Sequence, residues 1–347
     1  MNVFLTGGTG FIGQPLTKAL LGRGWSVTAL VRKPNSAQAR ALSRMGAQLA
    51  IGDITDRESM RAVMNNADIV VHSAGHYEFG LDNAGRQRMQ TINVTGTENV
   101  LGLAHELCVP RAVYVSSVLA FGESGTQERE ETFARLAPCR TFYEQSKTDA
   151  HTIALRYRQQ GLPLIIVCPN AVIGANDHSS WGYFLRLYIN HAMPPMAWSP
   201  NTIHAVVYRD DLAEGIALTA EKGRVGEVYF LSGEARSFRE HMNYWTKKPG
   251  AFRPLVWLPA WLVALFFSPL EPLQRILGLP AFISRETVRS GATNLYYSSE
   301  KAKRELGWTH RSAEALWFAT IDGERELLSR RKGQNLIRRL KPVDIVD

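Results

Sequence analysis

A glycine-rich segment close to the N-terminus constrains the fold of this chain more than any other feature. Residues 3–5 are a short apolar run, typical of a buried parallel strand, and Gly7, Gly10 and Gly13 follow it. Residues 11–21 then form an amphipathic stretch. A strand, a glycine-rich turn and a helix in this order place a pyrophosphate on the N-terminus of the helix. The segment therefore predicts a dinucleotide-binding site.

Each of the three glycines has its own physical reason in such a turn. Gly7 allows the chain to turn tightly, Gly10 lets the backbone approach the phosphates, and Gly13 lets the helix pack close to the sheet. A turn with a structural role alone would explain one of these glycines but not the other two.

The composition is that of an ordinary globular protein. The 347 residues are 45% apolar and 21% charged, which is enough to bury a large core in one large domain or two smaller ones. Three cysteines, Cys108, Cys139 and Cys168, lack metal-ligand spacing, and a sparse, odd set suits a reducing compartment. Because the first strand begins at residue 2, no signal peptide is expected, and we predict a cytoplasmic protein without a metal site.

The net charge of +8 is concentrated near the C-terminus. Six cations form a basic run there with no acid between them: Arg330, Arg331, Lys332, Arg338, Arg339 and Lys341. A solvated tail is the favoured interpretation, and a ligand for anionic lipid is the alternative. The sequence has no zinc-binding, RNP or helix-turn-helix pattern, so no nucleic-acid partner is expected.

Alternating strand and helix patterns predict an α/β fold. Predicted strands lie at 3–5, 25–31, 48–51, 67–72, 111–116 and 164–168, and predicted helices at 36–45, 57–64, 86–107 and 143–160. Such an alternation forms βαβ units and hence a Rossmann-type, doubly wound parallel sheet. Helices at 181–191 and 209–220 and a strand at 228–231 follow. We expect a dinucleotide-binding domain at 1–170, mainly a smaller substrate-binding lobe at 171–330, with some segments returning to the sheet, and a basic tail at 331–347.

Residues 255–267 form the most apolar segment of the chain. A helix needs about 20 residues to span a bilayer, and this segment is shorter. Burial in the core or in a pocket wall is the favoured interpretation. The alternatives are an oligomer interface and an interfacial membrane anchor, which Lys247, Lys248 and Arg253 just before the segment would support.

A tyrosine followed four residues later by a lysine, Tyr143 and Lys147, lies in a predicted helix. Side chains at this spacing share a helix face, and an ammonium near a phenol favours the phenolate, so we expect the pKa of Tyr143 to fall toward neutrality. Such a tyrosine exchanges a proton with a substrate oxygen. Ser117 ends the fifth strand, where a doubly wound sheet holds its ligands, and its hydroxyl is expected to bind the same oxygen. An exposed Tyr–Lys pair and a serine that merely ends a strand are the structural alternatives.

Together these patterns resemble the extended short-chain dehydrogenase/reductase family, which includes NAD-dependent epimerases and dehydratases. The segments TGGTGFIG at 6–13 and VSSVLAFG at 115–122 and the Tyr143–Lys147 pair follow the order and spacing of that family. Residues 298–308 are similar to its C-terminal motif, so the resemblance spans about residues 1–325. Within the family, the chain is most similar to the dihydroflavonol reductase and 3β-hydroxysteroid dehydrogenase branch.

The resemblance implies a role for each matching position. The pyrophosphate would be surrounded by Gly7, Gly10, Phe11, Ile12 and Gly13. Asp53 and Ile54 would hold the adenine, Ala74 and Gly75 would line the cofactor path, and Pro169 and Val172 would contact the nicotinamide end. Lys147 would also hydrogen-bond the nicotinamide ribose, and the catalytic set would be Ser117, Tyr143 and Lys147. One departure is Cys168, which stands where the family often has arginine before the proline.

Arg32 favours NADP(H) over NAD(H) as the cofactor. It ends the second strand, near the position where NAD-specific members carry an acid for the ribose 2′-hydroxyl. A guanidinium there, with Lys33 beside it, would pair with a 2′-phosphate. A solvated Arg–Lys pair before Pro34 is the alternative.

Three functions are compatible with these residues. The favoured one is an NADP(H)-dependent oxidoreductase that reduces a carbonyl, or oxidises the alcohol, of a largely apolar small molecule. A nucleotide-sugar epimerase or dehydratase with bound NAD is the second, but Val118 stands after Ser117 where sugar dehydratases of the family have an acid. The third is a non-catalytic NADP-sensing regulator, although the complete Ser–Tyr–Lys set argues for catalysis.

The segment after residue 180 is rich in aromatic residues and methionine. Trp181, Tyr183, Phe184, Met193, Met196 and Trp198 suit an apolar ligand, and Arg186 is the one candidate contact for a diphosphate. The candidate substrate residues are His76, Tyr77, Trp181, Tyr183 and His204, the last with a structural role favoured over a catalytic one. A homodimer built on the helices near 90–107 and 143–160 is expected from the resemblance.

Overall fold

The structure is a computed structural model that describes residues 1–192, 196–248, 256–271, 284–331, 333–334 and 336–341. In chain order the strands are β1 (Asn2–Thr6), β2 (Ser26–Val31), β3 (Gln48–Ile51), β4 (Ile69–His72), β5 (Ala112–Val115), β6 (Leu164–Pro169), β7 (Val172–Ile173), β8 (Met196–Trp198), β9 (Ile203–Ala205), β10 (Val207–Tyr208), β11 (Val228–Leu231), β12 (Ala235–Ser237) and β13 (Val256–Leu258). The helices are α1 (Gly13–Leu21), α2 (Ala37–Arg44), α3 (Glu58–Met64), α4 (Asn83–Gln90), α5 (Gly96–Glu106), α6 (Phe142–Gln159), α7 (Ser180–Ile189), α8 (Arg209–Lys222), α9 (Phe238–Trp245), α10 (Ala260–Phe267), α11 (Arg285–Gly291), α12 (Glu300–Leu306), α13 (Ala313–Ser329) and α14 (Leu336–Leu340).

Seven of these strands form one parallel sheet in the order β11-β6-β5-β4-β1-β2-β3. The chain order reverses beside β1, which pairs with β2 on one side and with β4 on the other. At such a switch point, the crevice at the carboxyl ends of the strands is where open α/β sheets bind ligands. The pairing confirms the predicted Rossmann-type fold, and β11 is a late segment that returns to the sheet.

Helices cover both faces of the sheet, and side chains that alternate along each strand enter the two layers in turn. Val3 and Leu5 point into one layer, which also holds the apolar residues of α1 and α8. Phe4 points into the opposite layer, among the apolar residues of α5 and α6. Burial on both faces explains why the strands are nearly continuous apolar runs.

The helix predicted at 86–107 is interrupted in its middle. A π-helical turn at Thr91–Thr95 joins α4 to α5, and it contains the buried Asn93. Turns of this type are frequent at functional sites. No residue pattern in the sequence distinguishes this turn from ordinary helix.

The C-terminal lobe has a core of its own. Buried Tyr188, Trp245 and Trp317, from α7, α9 and α13, pack together in it. Three two-stranded pairs, β7 with β10, β9 with β12 and β8 with β13, lie outside the main sheet. In contrast, the buried residues of α8 and α12 belong to a core layer of the sheet.

The apolar segment 255–267 is only partly covered: it packs behind Trp198, in keeping with a place in a pocket wall, but it is not buried in the core and one side of it is exposed. Leu255 lies outside the described residues; the rest forms β13 and α10, and Val263 is the buried residue of that helix. α10 is apolar on every face, but the lobe covers only the face around Val263. None of the described helices is long and apolar enough to cross a bilayer.

The basic C-terminal run is not simply a solvated tail. Leu340 is buried, and its carbonyl accepts a hydrogen bond from Nε of the buried Arg186 at 2.7 Å. Arg331 donates to the carbonyls of Arg338 and Lys341 at 2.7 and 2.9 Å. Residues 336–341 therefore fold back onto the lobe. Lys332 and residues 342–347 lie outside the described residues.

Candidate active site

A cavity of about 470 Å³ opens at the carboxyl ends of β1, β4, β5 and β6. The loops after these strands form one wall, and α7, α11 and the residues Trp198 and Phe238 of the C-terminal lobe contribute to the other. All residues predicted to bind the cofactor line this cavity, namely Gly7, Gly10, Phe11, Ile12, Gly13, Arg32, Asp53, Ile54, Ala74, Gly75, Lys147, Pro169 and Val172.

The turn between β1 and α1 has room for backbone only. A Cβ on Gly13 would lie 2.0 Å from the carbonyl oxygen of Gly7, and a Cβ on Gly7 would lie 2.6 Å from the amide nitrogen of Ala74. Gly7 also has a φ of 79°, which residues with side chains rarely adopt. Gly10 is less crowded, because a Cβ there would lie 3.2 Å from the carbonyl oxygen of Gly7. Since glycine has no side chain, the backbone at Gly10 is open toward the cavity.

The N-terminus of α1 faces the cavity through Gly13 and the two residues before the helix, Phe11 and Ile12. The N-cap residue Ile12 makes no side-chain hydrogen bond to the first turn of the helix. The helix therefore presents its N–H groups and the positive end of its dipole to a ligand. A pyrophosphate fits these donors and the open backbone at Gly10, so the residues present fit a dinucleotide cofactor.

Arg32 and Asp53 lie at the end of the cavity beyond β2 and β3. Arg32 is exposed, and its guanidinium has no hydrogen-bond acceptor among the described residues. Asp53 is engaged locally, because its Oδ1 accepts hydrogen bonds from the N–H and the hydroxyl of Thr55, each at 2.9 Å. Ile54 is buried against Gly96 of α5, where a Cβ would lie 2.6 Å from Ile54 Cδ1.

Asn93 of the π-helical turn fixes the loop after β4. Its Nδ2 donates to the carbonyl of His76 at 2.9 Å, and its Oδ1 accepts the N–H of His76 at 2.7 Å. Nδ2 also donates to Ser146 Oγ at 2.9 Å, and that hydroxyl donates to the carbonyl of Tyr143 at 2.8 Å. The loop and the start of α6 are thereby held in one register.

Lys147 lies deep in the cavity, and its side chain is almost fully buried. Its Nζ donates to the carbonyl of Val115 at 3.1 Å and to the hydroxyl of Tyr114 at 3.5 Å. Burial disfavours the charged form and lowers the pKa of Lys147 to about 8. Because this pKa still lies above 7, Lys147 is mostly protonated at neutral pH. Its cation lies at the end of β5 and faces the position expected for the ribose.

Tyr143 lines the same cavity, one turn before Lys147 on α6. Burial raises the pKa of Tyr143, which corrects the expectation that its pKa falls toward neutrality. The physical reason is that Nζ of Lys147 points to Val115 and Tyr114, so desolvation of the phenolate dominates. Tyr143 is consequently held as a neutral phenol, the form that can donate a proton.

Ser117 and its neighbour Ser116 have different surroundings. Ser117 Oγ accepts the N–H of Leu119 at 3.2 Å, which leaves its hydroxyl hydrogen for another acceptor. Ser116 Oγ lies 2.8 Å from Nδ1 of His151 on α6. Burial lowers the pKa of His151 to about 4, so this histidine is neutral near pH 7. The geometry therefore favours Ser117 as the hydroxyl that faces a ligand.

Aromatic side chains form the wall opposite the proposed cofactor positions. Tyr77 packs edge-on against Tyr143, with ring centroids 4.7 Å apart, and Phe79 lies 6.2 Å from the same ring. The other rings in this wall are Trp181, Phe184, Trp198 and Phe238. Of the described residues that line the cavity, the lysines and arginines are Arg32 and Lys147, and both lie on the side of the glycine turn and the strands.

Residues 3–232 match the model of the NAD dependent epimerase/dehydratase family. The chain belongs to this family. It is accordingly an enzyme of the NAD(P)-dependent short-chain dehydrogenase/reductase type, as the sequence predicted.

Several members of the family are similar to this chain along most of its length. A Synechocystis sp. protein that carries the name dihydroflavonol 4-reductase is 31% identical over 313 residues, covering 88% of this chain and 89% of that protein. The 4-hydroxy-2-methyl-3-oxo-4-farnesyl-3,4-dihydroquinoline-1-oxide ketoreductase of Stigmatella aurantiaca is 33% identical over 249 residues, covering 69% of this chain and 71% of the relative. The structure of dTDP-glucose 4,6-dehydratase from Streptomyces venezuelae, with NAD bound, has a TM-score of 0.73 and 22% identity over 95% of this chain and 98% of its own. That last likeness shows the fold alone.

The family and its fold are thus confirmed, and a structural relative binds NAD. The preference for NADP(H), the roles of individual site residues and the homodimer stay predictions.

Four of the five predicted substrate residues line the cavity, namely His76, Tyr77, Trp181 and His204. His204 is buried, and its Nε2 lies 3.3 Å from the carbonyl of Gly291. Burial lowers the pKa of His204 to about 3, and its own carbonyl accepts a hydrogen bond from His241 Nε2 at 3.0 Å. A neutral histidine held in this way supports the structural role favoured from the sequence.

Tyr183 and Arg186 do not line the cavity, which corrects two expectations. Arg186 is buried in the lobe, where it pairs with Glu324 at 2.9 Å. Its guanidinium also lies over the ring of Tyr183, 4.7 Å from the centroid. Both side chains point from α7 into the lobe core, so Arg186 is not available to a diphosphate. Met196 packs behind Trp198 in a separate cluster, and Met193 lies outside the described residues.

The sequence did not indicate the part of the cavity contributed by α11. Thr287, Ser290 and Gly291 of this helix line it, as do Phe79 and Phe238 from elsewhere in the chain. These residues belong to no motif, and α11 follows β5 by more than 160 residues in sequence. Only the packing of the lobe brings them to the site. The one usable signal was the predicted substrate residue Tyr77, because Phe79 lies two residues after it.

Proposed function

We propose that this protein is an NADP(H)-dependent oxidoreductase that reduces a carbonyl group, or oxidises the corresponding alcohol, on a largely apolar small molecule. The observation that carries the proposal is the composition of one cavity. Ser117, Tyr143 and Lys147 line it on one side, and a wall of aromatic rings faces them. Proton-transfer groups opposite an apolar wall suit a hydrophobic carbonyl compound.

The names of two relatives agree with this substrate class. The Stigmatella aurantiaca relative is a ketoreductase whose named substrate bears a farnesyl group, and the Synechocystis relative carries the name of a reductase. A farnesyl chain is apolar, and a ketoreductase acts on a carbonyl. The aromatic wall of the present cavity has the matching chemistry.

The proposed mechanism assigns a separate task to each polar side chain. When bound, the nicotinamide supplies the hydride in the reducing direction. Tyr143 donates a proton to the substrate oxygen, because its raised pKa keeps the phenol protonated until the oxygen becomes basic. Ser117 donates a second hydrogen bond to that oxygen, since its own oxygen already accepts from Leu119. The ammonium of Lys147, one helical turn away, stabilises the phenolate that Tyr143 leaves.

The preference for NADP(H) rests on Arg32. Its exposed guanidinium lies on the rim of the cavity and has no acceptor among the described residues. The acid near it, Asp53, is already bound to Thr55. A 2′-phosphate would supply the missing acceptor and form charge-assisted hydrogen bonds.

Nucleotide-sugar chemistry is less well supported. A diphosphate needs cations or helix N-termini on the substrate side, and Arg186 is paired with Glu324 instead. Val118, which follows Ser117, has no acidic group for a dehydratase. A purely sensing role would not require the convergence of Ser117, Tyr143 and Lys147 on one cavity.

The substrate proposal is tested with a panel of carbonyl compounds and NADPH. We expect hydrophobic ketones or aldehydes to be reduced with a higher kcat/KM than small hydrophilic carbonyl compounds. The matched comparison is epimerisation of UDP-glucose with the same enzyme. Efficient epimerisation together with tightly held NAD would contradict the proposal.

The cofactor proposal is tested by Arg32→Ala. Loss of a charge-assisted contact to the 2′-phosphate should weaken NADPH binding by on the order of 1.5–3 kcal/mol and leave NADH binding nearly unchanged. Dissociation constants measured by fluorescence titration give both values, and Arg40→Ala, an exposed arginine on α2, is the control. Equal affinity of the unmodified protein for NADPH and NADH would exclude the preference.

A further inference from the structure

α10 presents an apolar surface to solvent. Trp261, Leu265 and Phe266 leave 69%, 61% and 58% of their surfaces exposed. Val256 and Leu270, just outside the two ends of the helix, are also exposed. Together these five side chains present roughly 500 Å² of apolar area, near the upper end for the largest patch on a monomeric protein.

This helix forms the outside of a wall whose inside is the proposed substrate cavity. Phe267 of α10 packs edge-on against Trp198, with ring centroids 6.0 Å apart, and Trp198 lines the cavity. Val263 and Val288 complete the small cluster around Trp198. One layer of side chains thus separates the exposed surface from the site.

Unpaired cations lie next to the apolar helix. α11 packs against α10 and carries Arg285 and Arg289 at i and i+4, both exposed. Two carboxylates at this end accept hydrogen bonds from backbone N–H groups and not from the two guanidiniums. Glu271 accepts the N–H of Arg285 at 2.6 Å, and Glu286 accepts the N–H groups of Gly80 and Phe142 at 2.9 Å each. Neither guanidinium is paired with a carboxylate in the part of the chain that the structure describes.

We propose that α10 and these two arginines dock on the surface of an anionic lipid bilayer. The apolar side chains of α10 would enter the boundary between headgroups and acyl chains, while Arg285 and Arg289 contact lipid phosphates. The exposed apolar helix and the two arginines support membrane binding whatever the protein's activity is. The suggested purpose of membrane binding, to supply an apolar substrate from the bilayer to the adjacent cavity, rests on the proposed function.

The unpaired cations beside the patch favour a membrane over a second copy of the chain. A standard protein interface buries about 800 Å² on each partner, a little over half of it apolar, so the roughly 500 Å² of apolar area would suit either occupant. In a symmetric pair of chains, however, Arg285 and Arg289 would lie near the same arginines of the other copy, whereas lipid phosphates would pair with them.

The experiment is co-sedimentation of the full chain with phosphatidylcholine vesicles, with and without phosphatidylglycerol. We expect binding to the vesicles that contain phosphatidylglycerol. The double variant Trp261→Glu/Phe266→Glu should weaken it by about tenfold or more, and Arg285→Glu/Arg289→Glu should abolish the preference for anionic lipid. Leu136→Glu is the matched control, since Leu136 is a large apolar side chain exposed elsewhere, and it should bind as the unmodified protein does.

Three results would overturn the proposal. They are absence of binding to both kinds of vesicle, equal weakening by Leu136→Glu, and conversion of an oligomer to a monomer by Trp261→Glu/Phe266→Glu in sedimentation velocity. The last result would assign the surface to a second copy. Vesicle binding is measured without cofactor or substrate, and reduction of the hydrophobic carbonyl compounds with NADPH is assayed separately in the absence of vesicles. Absence of that activity alone would count against the proposed function and not against the membrane contact.

Discussion

Among single residues, Lys147 links the chemistry of the site to the stability of the protein. Burial lowers its pKa from 10.5 to about 8. Between these pH values the unfolded chain holds a proton on Lys147 that the folded protein lacks, so the free energy of unfolding rises with pH in this window. Below pH 8 the folded state carries the full penalty of burying the ammonium, on the order of 3 kcal/mol.

We therefore expect Lys147→Met to be more stable than the unmodified protein at pH 7, and the difference to disappear toward pH 10.5. Urea unfolding at pH 7 and pH 9.5 measures it. Groups such as Cys168, whose pKa burial raises, are present in both proteins and largely cancel. Lys33→Met, at an exposed lysine, is the control. A variant that is less stable at pH 7 would mean that the hydrogen bonds of Nζ outweigh its desolvation.

Tyr143 is the residue on which the proposed proton transfer depends. General acid catalysis is worth about 10²–10⁴-fold, so Tyr143→Phe should lower kcat by that factor on a confirmed carbonyl substrate. Binding of NADPH should change little, because the phenol has no expected contact with it. Tyr157→Phe, on the same helix but far from the cavity and bound to Glu98, is the matched control. Full turnover by Tyr143→Phe would place the proton donor elsewhere.

At the scale of elements, Glu286 joins α11 to two parts of the site. Its carboxylate accepts the N–H of Gly80, in the loop that carries Tyr77, and the N–H of Phe142, the residue before Tyr143. Glu286 is thus a positioning residue. Hydrogen bonds to a charged acceptor contribute about 1.5–3 kcal/mol each, so their loss should loosen the wall around the substrate.

Glu286→Ala should raise KM for the carbonyl substrate and lower kcat, by about tenfold in kcat/KM, while the dissociation constant of NADPH stays unchanged. Glu286→Gln retains one oxygen acceptor and should recover part of the loss. Steady-state kinetics and cofactor titration separate the two effects, and Glu314→Ala is the control, at a half-exposed acid on α13 that pairs with Lys247. A parallel loss of cofactor binding would indicate a general folding defect instead.

The sequence predicted local elements well and links between distant elements poorly. The strands of the sheet follow from apolar runs, and the glycine turn follows from steric needs at Gly7 and Gly13, which act over a few residues. The bond between Glu286 and Gly80 joins positions 206 residues apart. No local pattern encodes such a contact, since it depends on how the lobe packs on the sheet.

At the scale of the whole molecule, the sequence identified which segments are apolar but not which of their faces are covered. The segment 255–267 is apolar throughout, so hydropathy could not show that Val263 is the one fully buried residue within the described part, 256–267. Arg186 was equally ambiguous, because a cation in an aromatic segment suits either a ligand or an internal ion pair. Its partner Glu324 comes from α13, more than 130 residues later. The fold and the meeting of Ser117, Tyr143 and Lys147 at one cavity were therefore predictable, whereas the structure was needed to show which residues of the aromatic segment face that cavity.

The molecule as a whole should be sensitive to acid, because it buries four neutral histidines. Burial lowers the pKa of His72 and His204 to about 3 and that of His151 and His241 to about 4. Each takes up a proton in the unfolded chain below about pH 6.5, so each lowers the free energy of unfolding by about 1.4 kcal/mol per pH unit as the pH falls toward 4.

Two buried carboxyl groups and one partly buried carboxyl group act in the opposite direction. Burial raises the pKa of Glu131, Asp177 and Glu324, so the folded state takes up protons on these groups before the unfolded chain does. These groups offset part of the four histidine contributions, so one histidine at a time must be examined by difference. His72 is suited to this, since its ring is fixed between the hydroxyls of Thr6 and Thr97 at 2.7 and 3.1 Å, away from the proposed substrate wall.

His72→Gln should reduce the pH dependence of the free energy of unfolding between pH 6 and pH 4 by about 1.4 kcal/mol per pH unit, whatever its effect at pH 7.5. Urea unfolding at several pH values gives the slope. His191→Asn is the control, because His191 is exposed and has a φ of 56°, which asparagine tolerates. It should leave the slope unchanged. If His72→Gln also left the pH slope of the free energy of unfolding unchanged, His72 would be charged in the folded protein. A charged ring donates from both nitrogens, so the hydroxyls of Thr6 and Thr97 would both have to accept hydrogen bonds from it. Thr6 could do so only by turning its hydroxyl hydrogen away from Nδ1.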